Sequence, residues 1–305
     1  MLAKKFDVTL IQDKIWEKPC GGGVKYKIFD EMGFDKNLIH HLLEKVYIVY
    51  KNKKIEIDLK GKNLAIIKRD EFDAHLRKLA EDEGAKIYYG KFKNFQNKKA
   101  VVEINREKIS FEYDILIAAD GVNSSVRKAL NLPSVPKTIT HFAKTSDYKV
   151  DTCEFFFDFK LSGKYYAWAF PHLDKTHIGS VDKNSFENLC RYLNVNIKPK
   201  GYFIPTWQKN VIIQKENIYF VGDAAAQVMP LSFEGIYYAI KSAKILAESI
   251  INRLDYKKEW EKVYLKKFKF MKTLEKINKT KLRTFILSAH NLKFVRDFSV
   301  SLWLS

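Results

Sequence analysis

Asn217-Ile-Tyr-Phe-Val-Gly-Asp-Ala-Ala-Ala-Gln-Val-Met-Pro-Leu-Ser-Phe-Glu-Gly-Ile-Tyr-Tyr-Ala-Ile240 decides the fold of this 305-residue chain. Its apolar start reads as a buried strand that runs into Gly222-Asp223, followed by a Pro turn and a long helix beginning near Glu234. Gly222 lets the backbone approach a ligand with no side chain between. Asp223 puts a carboxylate at the strand's end, where it accepts hydrogen bonds from hydroxyls. The helix start offers unbonded N–H groups and the positive end of a dipole. A polyhydroxyl chain carrying an electron-rich ring satisfies all three features. A loop joining a core strand to a core helix is the competing reading.

Two further stretches decide between them. Tyr113-Asp-Ile-Leu-Ile-Ala-Ala-Asp-Gly-Val-Asn-Ser-Ser-Val-Arg127 holds a continuous apolar run, Ile115 to Ala119, expected of a parallel-sheet strand buried on both faces. Asp120-Gly121 turns the chain, Asn123 or Ser124 caps the next helix, and Arg127 lies one turn in. Lys18-Pro-Cys-Gly-Gly-Gly-Val24 carries a glycine triplet that suits neither helix nor strand interior and can lie flat against a planar ring.

Together these stretches resemble flavoproteins related to hydroxybenzoate hydroxylase. The basic-Pro-Cys-Gly-Gly-Gly loop is similar to that of the geranylgeranyl reductase branch, as is Tyr166-Ala-Trp-Ala-Phe-Pro171, whose alternation puts Tyr166, Trp168 and Phe170 on one face. The resemblance runs from residue 2 to about residue 255 and implies an α/β fold. A discontinuous Rossmann-like FAD-binding domain (1–135 and 205–255) would receive a sheet-rich substrate domain (136–204), with a helical segment (256–305) after it.

The family's roles carry over residue by residue. Gln12, Gly23, Arg69, Asp120, Gly121, Gly222, Asp223, Glu234 and Gly235 would bind the cofactor. Cys20, Gly21 and Gly22 would form the catalytic loop, and Tyr166, Trp168, Phe170 and Pro171 would hold the substrate. Cys20 is either a proton donor or a small buried filler. The activity implied is FAD-dependent saturation of C=C bonds in a polyprenyl group of a lipid, quinone or chlorophyll-type precursor. NAD(P)H or ferredoxin would be the electron donor. Rival readings are an aromatic hydroxylase of the same fold and an inactive remnant that binds lipid or membrane.

The sequence departs from the family at several points. Met1-Leu-Ala-Lys-Lys-Phe-Asp-Val-Thr-Leu-Ile11 resembles the end of the family's first helix and its second strand. The first strand and its Gly-x-Gly-x-x-Gly turn are missing, which implies either an upstream start adding about 25–30 residues or a truncated gene. Weak or no FAD binding is the expectation for the chain as it stands. Gln12 stands where an acidic residue is usual, and Ala226 and Phe233 where glycines are usual.

Composition fits an enzyme, with 46% hydrophobic residues and no apolar run of about 18 or more. Cys20, Cys153 and Cys190 are widely spaced, which suggests reduced thiols in the cytoplasm and no metal pattern. His40 and His41 are read as surface or loop residues. Net charge is +18, with eleven basic residues against three acidic between Tyr256 and Arg283. No nucleic-acid motif accompanies the charge, so nucleic acid is not expected. Trp260, Val263, Tyr264, Phe268, Met271, Leu274 and Ile277 recur there at helical spacing. Such a helix either lies on the inner face of a membrane or packs its stripe inward with its lysines solvated; packing is preferred. Glu31–Glu44 reads as a further helix.

Overall fold

The computed structural model describes residues 1–15 and 18–304. The chain is mixed α/β and divides into two compact units. Met1–Glu17, Asp73–Lys137 and Ile204–Lys272 form the first; Lys18–Phe72, Thr138–Phe203 and Thr273–Ser305 form the second. The division differs from the expected domains in two places. Residues 18–72 group with the sheet-rich 138–203 segment, because Lys45–Tyr50 pairs in parallel with Glu154–Phe156. The C-terminal helices are shared out at residue 272.

In the first unit, Thr9–Gln12 runs parallel to Lys86–Tyr89 and Leu116–Ala118 runs parallel to Ile218–Phe220. Lys91–Gln96, Lys99–Ile104 and Glu107–Phe111 make an antiparallel meander. The Ile115–Ala119 run is not buried on both faces: Ile115 and Ile117 are 40% and 37% exposed. Among the described residues Leu116–Ala118 is an edge strand, paired only with Ile218–Phe220, so one flank lacks cover.

The helix Ile236–Asn252 follows, burying Tyr237, Tyr238, Ile245 and Leu246. After it the basic segment is divided into Tyr256–Trp260, a π-helical turn Glu261–Leu265 and Lys266–Asn278. Its stripe faces inward at Trp260, Tyr264, Phe268 and Met271, whereas Val263 is 54% exposed. Trp260, Tyr264 and Phe268 are buried in an aromatic cluster with Tyr238, and Trp207 packs on Phe268. Burying each such ring contributes roughly 2–3 kcal/mol, more than the same ring would gain by lying half-exposed on head groups.

The second unit is built on a seven-stranded sheet, in the order Lys200–Pro205, Lys137–Thr145, Lys175–Ser180, Ala167–His172, Glu154–Phe156, Lys45–Tyr50, Lys53–Asp58. Alternation sorts its two faces. Ala167, Ala169 and Ile178 meet Phe186, Leu189 and Leu193 of the helix Lys183–Leu193 on one side. Phe170 and Phe155 pack with Leu43, Val46, Leu64, Ile66, Val300 and Leu304 on the other. A second sheet sets Leu64–Ile67 between Gly23–Lys25 and Ile39–Leu43.

The expected helix at 31–44 is replaced by a short helix Lys27–Met32, a 3-10 turn Lys36–Leu38 and the strand Ile39–Leu43. Gly33 ends the helix at φ 67°, and Asp35 caps the turn through the Asn37 N–H. Pairing with Leu64–Ile67 then claims the apolar residues. His40 and His41 accordingly lie in a strand, half-buried, and His40 Nε2 is 2.8 Å from Glu71 Oε2.

Candidate functional site

The first unit carries Gln12, Asp120, Gly121, Gly222, Asp223, Glu234 and Gly235. Its strand Ile218–Phe220 ends in a 3-10 turn, Gly222–Ala225, closed by Ala226 at φ 52°. Gly222 sits at φ +59°, and a Cβ there would lie 3.0 Å from Ala239 Cβ. Its N–H donates to Gln227 Oε1 (2.9 Å) and Ser242 Oγ (3.3 Å). Gln227 donates in turn to the Tyr256 hydroxyl at 2.8 Å, which donates to Phe220 O at 3.2 Å. The turn is thereby braced by buried groups from the helices behind it.

Asp223 is brought to the start of the long helix. A Cβ at Gly235, the helix cap, would lie 3.5 Å from Asp223 Oδ1. The first intrahelical bond runs from the Ala239 N–H to Gly235 O at 2.8 Å, so the positive end of the helix sits beside this carboxylate. Glu234 adds a second carboxylate: Oε2 accepts from Ser232 Oγ at 2.9 Å, whereas Oε1 is buried without a hydrogen-bond partner. Ala226 and Phe233 both adopt left-handed backbone, at φ 52° and 55°. Glycine takes that conformation freely and other residues at a cost of about 1–2 kcal/mol, which accounts for the glycines usual at these positions.

The Asp120-Gly121 turn joins this site through Arg127, which the sequence reading placed one turn into the helix without giving it a role. Ser124 caps the helix Ser125–Ala129 by accepting the Arg127 N–H at 3.1 Å, and Asp120 Oδ2 accepts the Val126 N–H at 3.1 Å. The Arg127 guanidinium is buried. It donates to Pro133 O (3.0 Å), Ile212 O (2.8 Å) and Ala224 O (3.1 Å), and lies over the Phe220 ring at 4.8 Å. Gln12 lies at the end of its own strand, donating to Lys14 O at 3.1 Å.

The second unit carries Cys20, Gly21, Gly22, Gly23, Arg69, Tyr166, Trp168, Phe170 and Pro171. Gly22, at φ +79°, donates its N–H to Cys20 Sγ at 3.3 Å, and a Cβ on it would lie 2.5 Å from Ile67 O. Gly21 and Gly23 face Phe170: a Cβ on either would lie 2.4 Å or 3.2 Å from its ring. The sequence reading left this side of the loop to ligand approach. The structure fills it with an aromatic ring.

The Cys20 carbonyl is held by His177 Nδ1 at 2.9 Å, a residue missed from the sequence. His177 stacks on His172 with centroids 3.8 Å apart and meets Phe142 edge-on at 5.0 Å. Its Nε2 is buried without a hydrogen-bond partner. Burial, and then the neighbouring His172, push its pKa down to about 3 despite the bond to the Cys20 carbonyl.

Tyr166, Trp168 and Phe170 lie among further rings. Phe155 joins Tyr166 (5.6 Å), Phe170 (5.2 Å) and Trp303 (5.6 Å), and Tyr166 meets Trp168 at 5.9 Å. Trp168 lies over Gly179, where a Cβ would be 2.2 Å from its ring. Pro171 fits mid-sheet because its strand neighbour, Glu154–Phe156, stops opposite Ala169, so no amide is needed on that side. Arg69 begins the helix Arg69–Asp82, away from the glycine loop in sequence.

Alanine at Gly22 should destabilise the protein by about 2–3 kcal/mol, since it meets both the backbone oxygen of Ile67 and a left-handed φ. Alanine at Gly21 should cost less, because the Phe170 ring can swing away. Urea midpoints of the two variants check this order.

No protein-family model matches the chain. An uncharacterised protein of Methanosarcina barkeri is 31% identical over 272 residues, covering 82% of this chain and 70% of that protein. The chloroplastic geranylgeranyl diphosphate reductase of Nicotiana tabacum is 26% identical over 85% of this chain and 67% of its own length. The digeranylgeranylglycerophospholipid reductase of Methanococcus aeolicus is 26% identical over 90% and 82%. The chain spans about two thirds of the length of the curated plant and Rhodobacter capsulatus reductases it matches.

Among solved structures, a geranylgeranyl bacteriochlorophyll reductase-like protein of Thermoplasma acidophilum superposes with a TM-score of 0.76 at 18% identity. It covers 90% of this chain and 87% of that one, which shows the fold. With the Cys-Gly-Gly-Gly loop, the Asp-Gly turn and the Gly-Asp turn in place, the chain belongs to the geranylgeranyl reductase family of FAD-dependent oxidoreductases.

Proposed function

We propose that this protein saturates isolated C=C bonds in the polyprenyl chain of a lipid, using FAD recharged by NAD(P)H or ferredoxin. The observation that carries the cofactor reading is the meeting of Asp223, Glu234 and the N-terminus of Ile236–Asn252. A polyhydroxyl chain bearing phosphates fits this set. Asp223 accepts from hydroxyls, the buried unpartnered Glu234 Oε1 takes another, and the helix end favours negative charge. Gly121 sits at φ +82°, and a Cβ on it would meet nothing within 4 Å, which leaves open space beside the Asp120 turn.

FAD when bound supplies the hydride equivalent; the protein's part is placement and exclusion of water. An isolated alkene has no carbonyl to polarise, so a dry apolar wall matters more than hydrogen-bond donors. Phe155, Tyr166, Trp168 and Phe170 supply such a wall to a prenyl chain. Cys20, whose carbonyl is held by His177 and whose Sγ accepts the Gly22 N–H, would give the proton. A substrate whose chain lies in a bilayer brings the enzyme to a membrane surface.

The test is anaerobic incubation with FAD, a reductant and a geranylgeranyl phospholipid, followed by mass spectrometry for a gain of two hydrogens per bond. Asp223→Ala should weaken FAD binding by about 10–100-fold, the loss of a charge-assisted hydrogen bond. An unchanged dissociation constant in that variant removes Asp223 from the site. Cys20→Ser with unchanged turnover removes the thiol's chemical role.

A further inference from the structure

The four most exposed large apolar side chains among the described residues all lie within one short stretch: Phe285 (77%), Phe294 (70%), Leu282 (61%) and Phe298 (61%). They are presented by two successive helices of the second unit, Leu282–Ala289 and Lys293–Leu304, with Leu292 exposed in the turn between. Spacing explains the display. Leu282 and Phe285 are three residues apart and Phe294 and Phe298 four apart, so each pair shares the outer face of its helix.

The inner faces are anchored. Buried Arg283 donates to Tyr165 O (2.7 Å) and Gly163 O (2.9 Å) and lies over the Phe159 ring at 3.5 Å. Val300 and Leu304 enter the core beside Leu43 and Val46. The connecting turn is tied as well: Arg296 donates to the His290 and Asn291 carbonyls, and His290 Nε2 is 3.0 Å from Ser299 Oγ. The phenylalanines are thus held outward by a braced hairpin.

Charge selects the occupant. From Lys279 to Leu304 there are five Lys or Arg against one Asp; of the five, Arg283 is buried, Lys279 pairs with Glu275 and Lys293 is 3.8 Å from Asp297. Lys281 and Lys293 are exposed beside the apolar residues, and Lys60 and Lys62 reach Asp297 and Ser301 on the second helix. Interfaces between proteins favour aromatic residues but are poor in lysine. Aromatic and aliphatic side chains rimmed by lysine are what an anionic head-group layer accepts, the rings entering the acyl boundary and the ammonium groups staying at the phosphates. We infer that the outer face of the 282–298 hairpin docks on the surface of an anionic phospholipid bilayer. This deepens the proposed function by naming the surface that would meet the lipid, and it rests on that reading only for the choice of a lipid partner.

Flotation of the full chain with phosphatidylglycerol vesicles tests it, with phosphatidylcholine vesicles and high salt as comparisons. The wild type should bind phosphatidylglycerol vesicles, more weakly at high salt or on phosphatidylcholine. Phe285→Ser and Phe294→Ser should each weaken binding by at least about tenfold, while Phe203→Ser, exposed elsewhere in the same unit, should leave it unchanged. Equal binding by wild type and hairpin variants overturns the inference, as does no binding at all. Self-association of the wild type that the hairpin variants abolish also overturns it, because the face would then join two copies of the chain. Reduction of a detergent-dispersed prenyl lipid without vesicle binding sinks the docking surface alone. Vesicle binding without any reduction leaves it standing and sinks the proposed function.

Discussion

Replacing Arg127 with methionine should destabilise the protein by about 3–5 kcal/mol, the cost of leaving several buried or half-buried acceptors unsatisfied. Methionine matches the apolar stem but leaves three carbonyls, those of Pro133, Ile212 and Ala224, without their donor. Lysine should recover little, since a point charge cannot serve three acceptors that a planar fork reaches together. The effect should extend to the cofactor site, because Ala224 belongs to the turn that sets Asp223. Urea unfolding measures the first effect and FAD titration of the folded fraction measures the second. An Arg127→Met protein as stable as the wild type would contradict this account of the turn.

Mild acid should cost the protein much of its stability through His177. Its ordinary pKa of 6.5 is pushed down to about 3 in the folded state, first by burial and then by His172. Above pH 6.5 the site is neutral in both states and contributes no pH dependence. Below it the unfolded chain takes up a proton that the folded chain refuses, so stability falls with pH until the folded value is reached. The slope is up to about 1.4 kcal/mol per pH unit, or roughly 2–3 kcal/mol lost by pH ~4.5. His141 and His290, both lowered chiefly by burial, act with the same sign. Asparagine at 177 can keep a donor toward the Cys20 carbonyl without titrating. Urea midpoints between neutral pH and pH ~4.5 should therefore fall less steeply in His177→Asn than in the wild type. Identical slopes would show that His177 is not the titrating group.

The sequence discloses local features well and long-range ones poorly. Periodicity and turn residues indicate a hairpin of Val46–Tyr50 and Ile55–Leu59 across residues 51–54, a strand Leu64–Ile67 and a helix Asp70–Glu83; the structure has Lys45–Tyr50 paired with Lys53–Asp58, the strand Leu64–Ile67 and the helix Arg69–Asp82. The Lys51-Asn52 turn shows why: both residues take positive φ, as a tight two-residue hairpin requires. Lys91–Gln96 carries little strand signal because it is mostly polar and lies on an edge of its meander. The apolar residues of 31–44 fit a helical spacing, yet Gly33 and the partner strand Leu64–Ile67 override that pattern.

Of the candidate site, the turns and glycines were legible and the supports were not. His177 meets the Cys20 carbonyl across 157 positions, and Arg127 meets Ala224 across 97. Backbone carbonyls carry no sequence signature, so neither bond could be read from residue types. The packing of Phe170 against Gly21 was equally hidden, and it changes the meaning of the glycines: two of the three make room for a ring of the protein itself. The basic stripe of 256–283 was ambiguous for a different reason. Amphipathic spacing describes an inward-packed helix and a membrane-bound one alike, and only Tyr238 and Trp207 decide between them.

The most direct test of the central claim is anaerobic mixing of the protein, reduced in the presence of enough FAD to saturate a weak site, with a geranylgeranyl phospholipid while the absorbance of the flavin is followed. The account predicts that the oxidised flavin band returns as the alkene is consumed, without oxygen. A flavin that stays reduced until oxygen is admitted, with every double bond of the lipid intact, would contradict it.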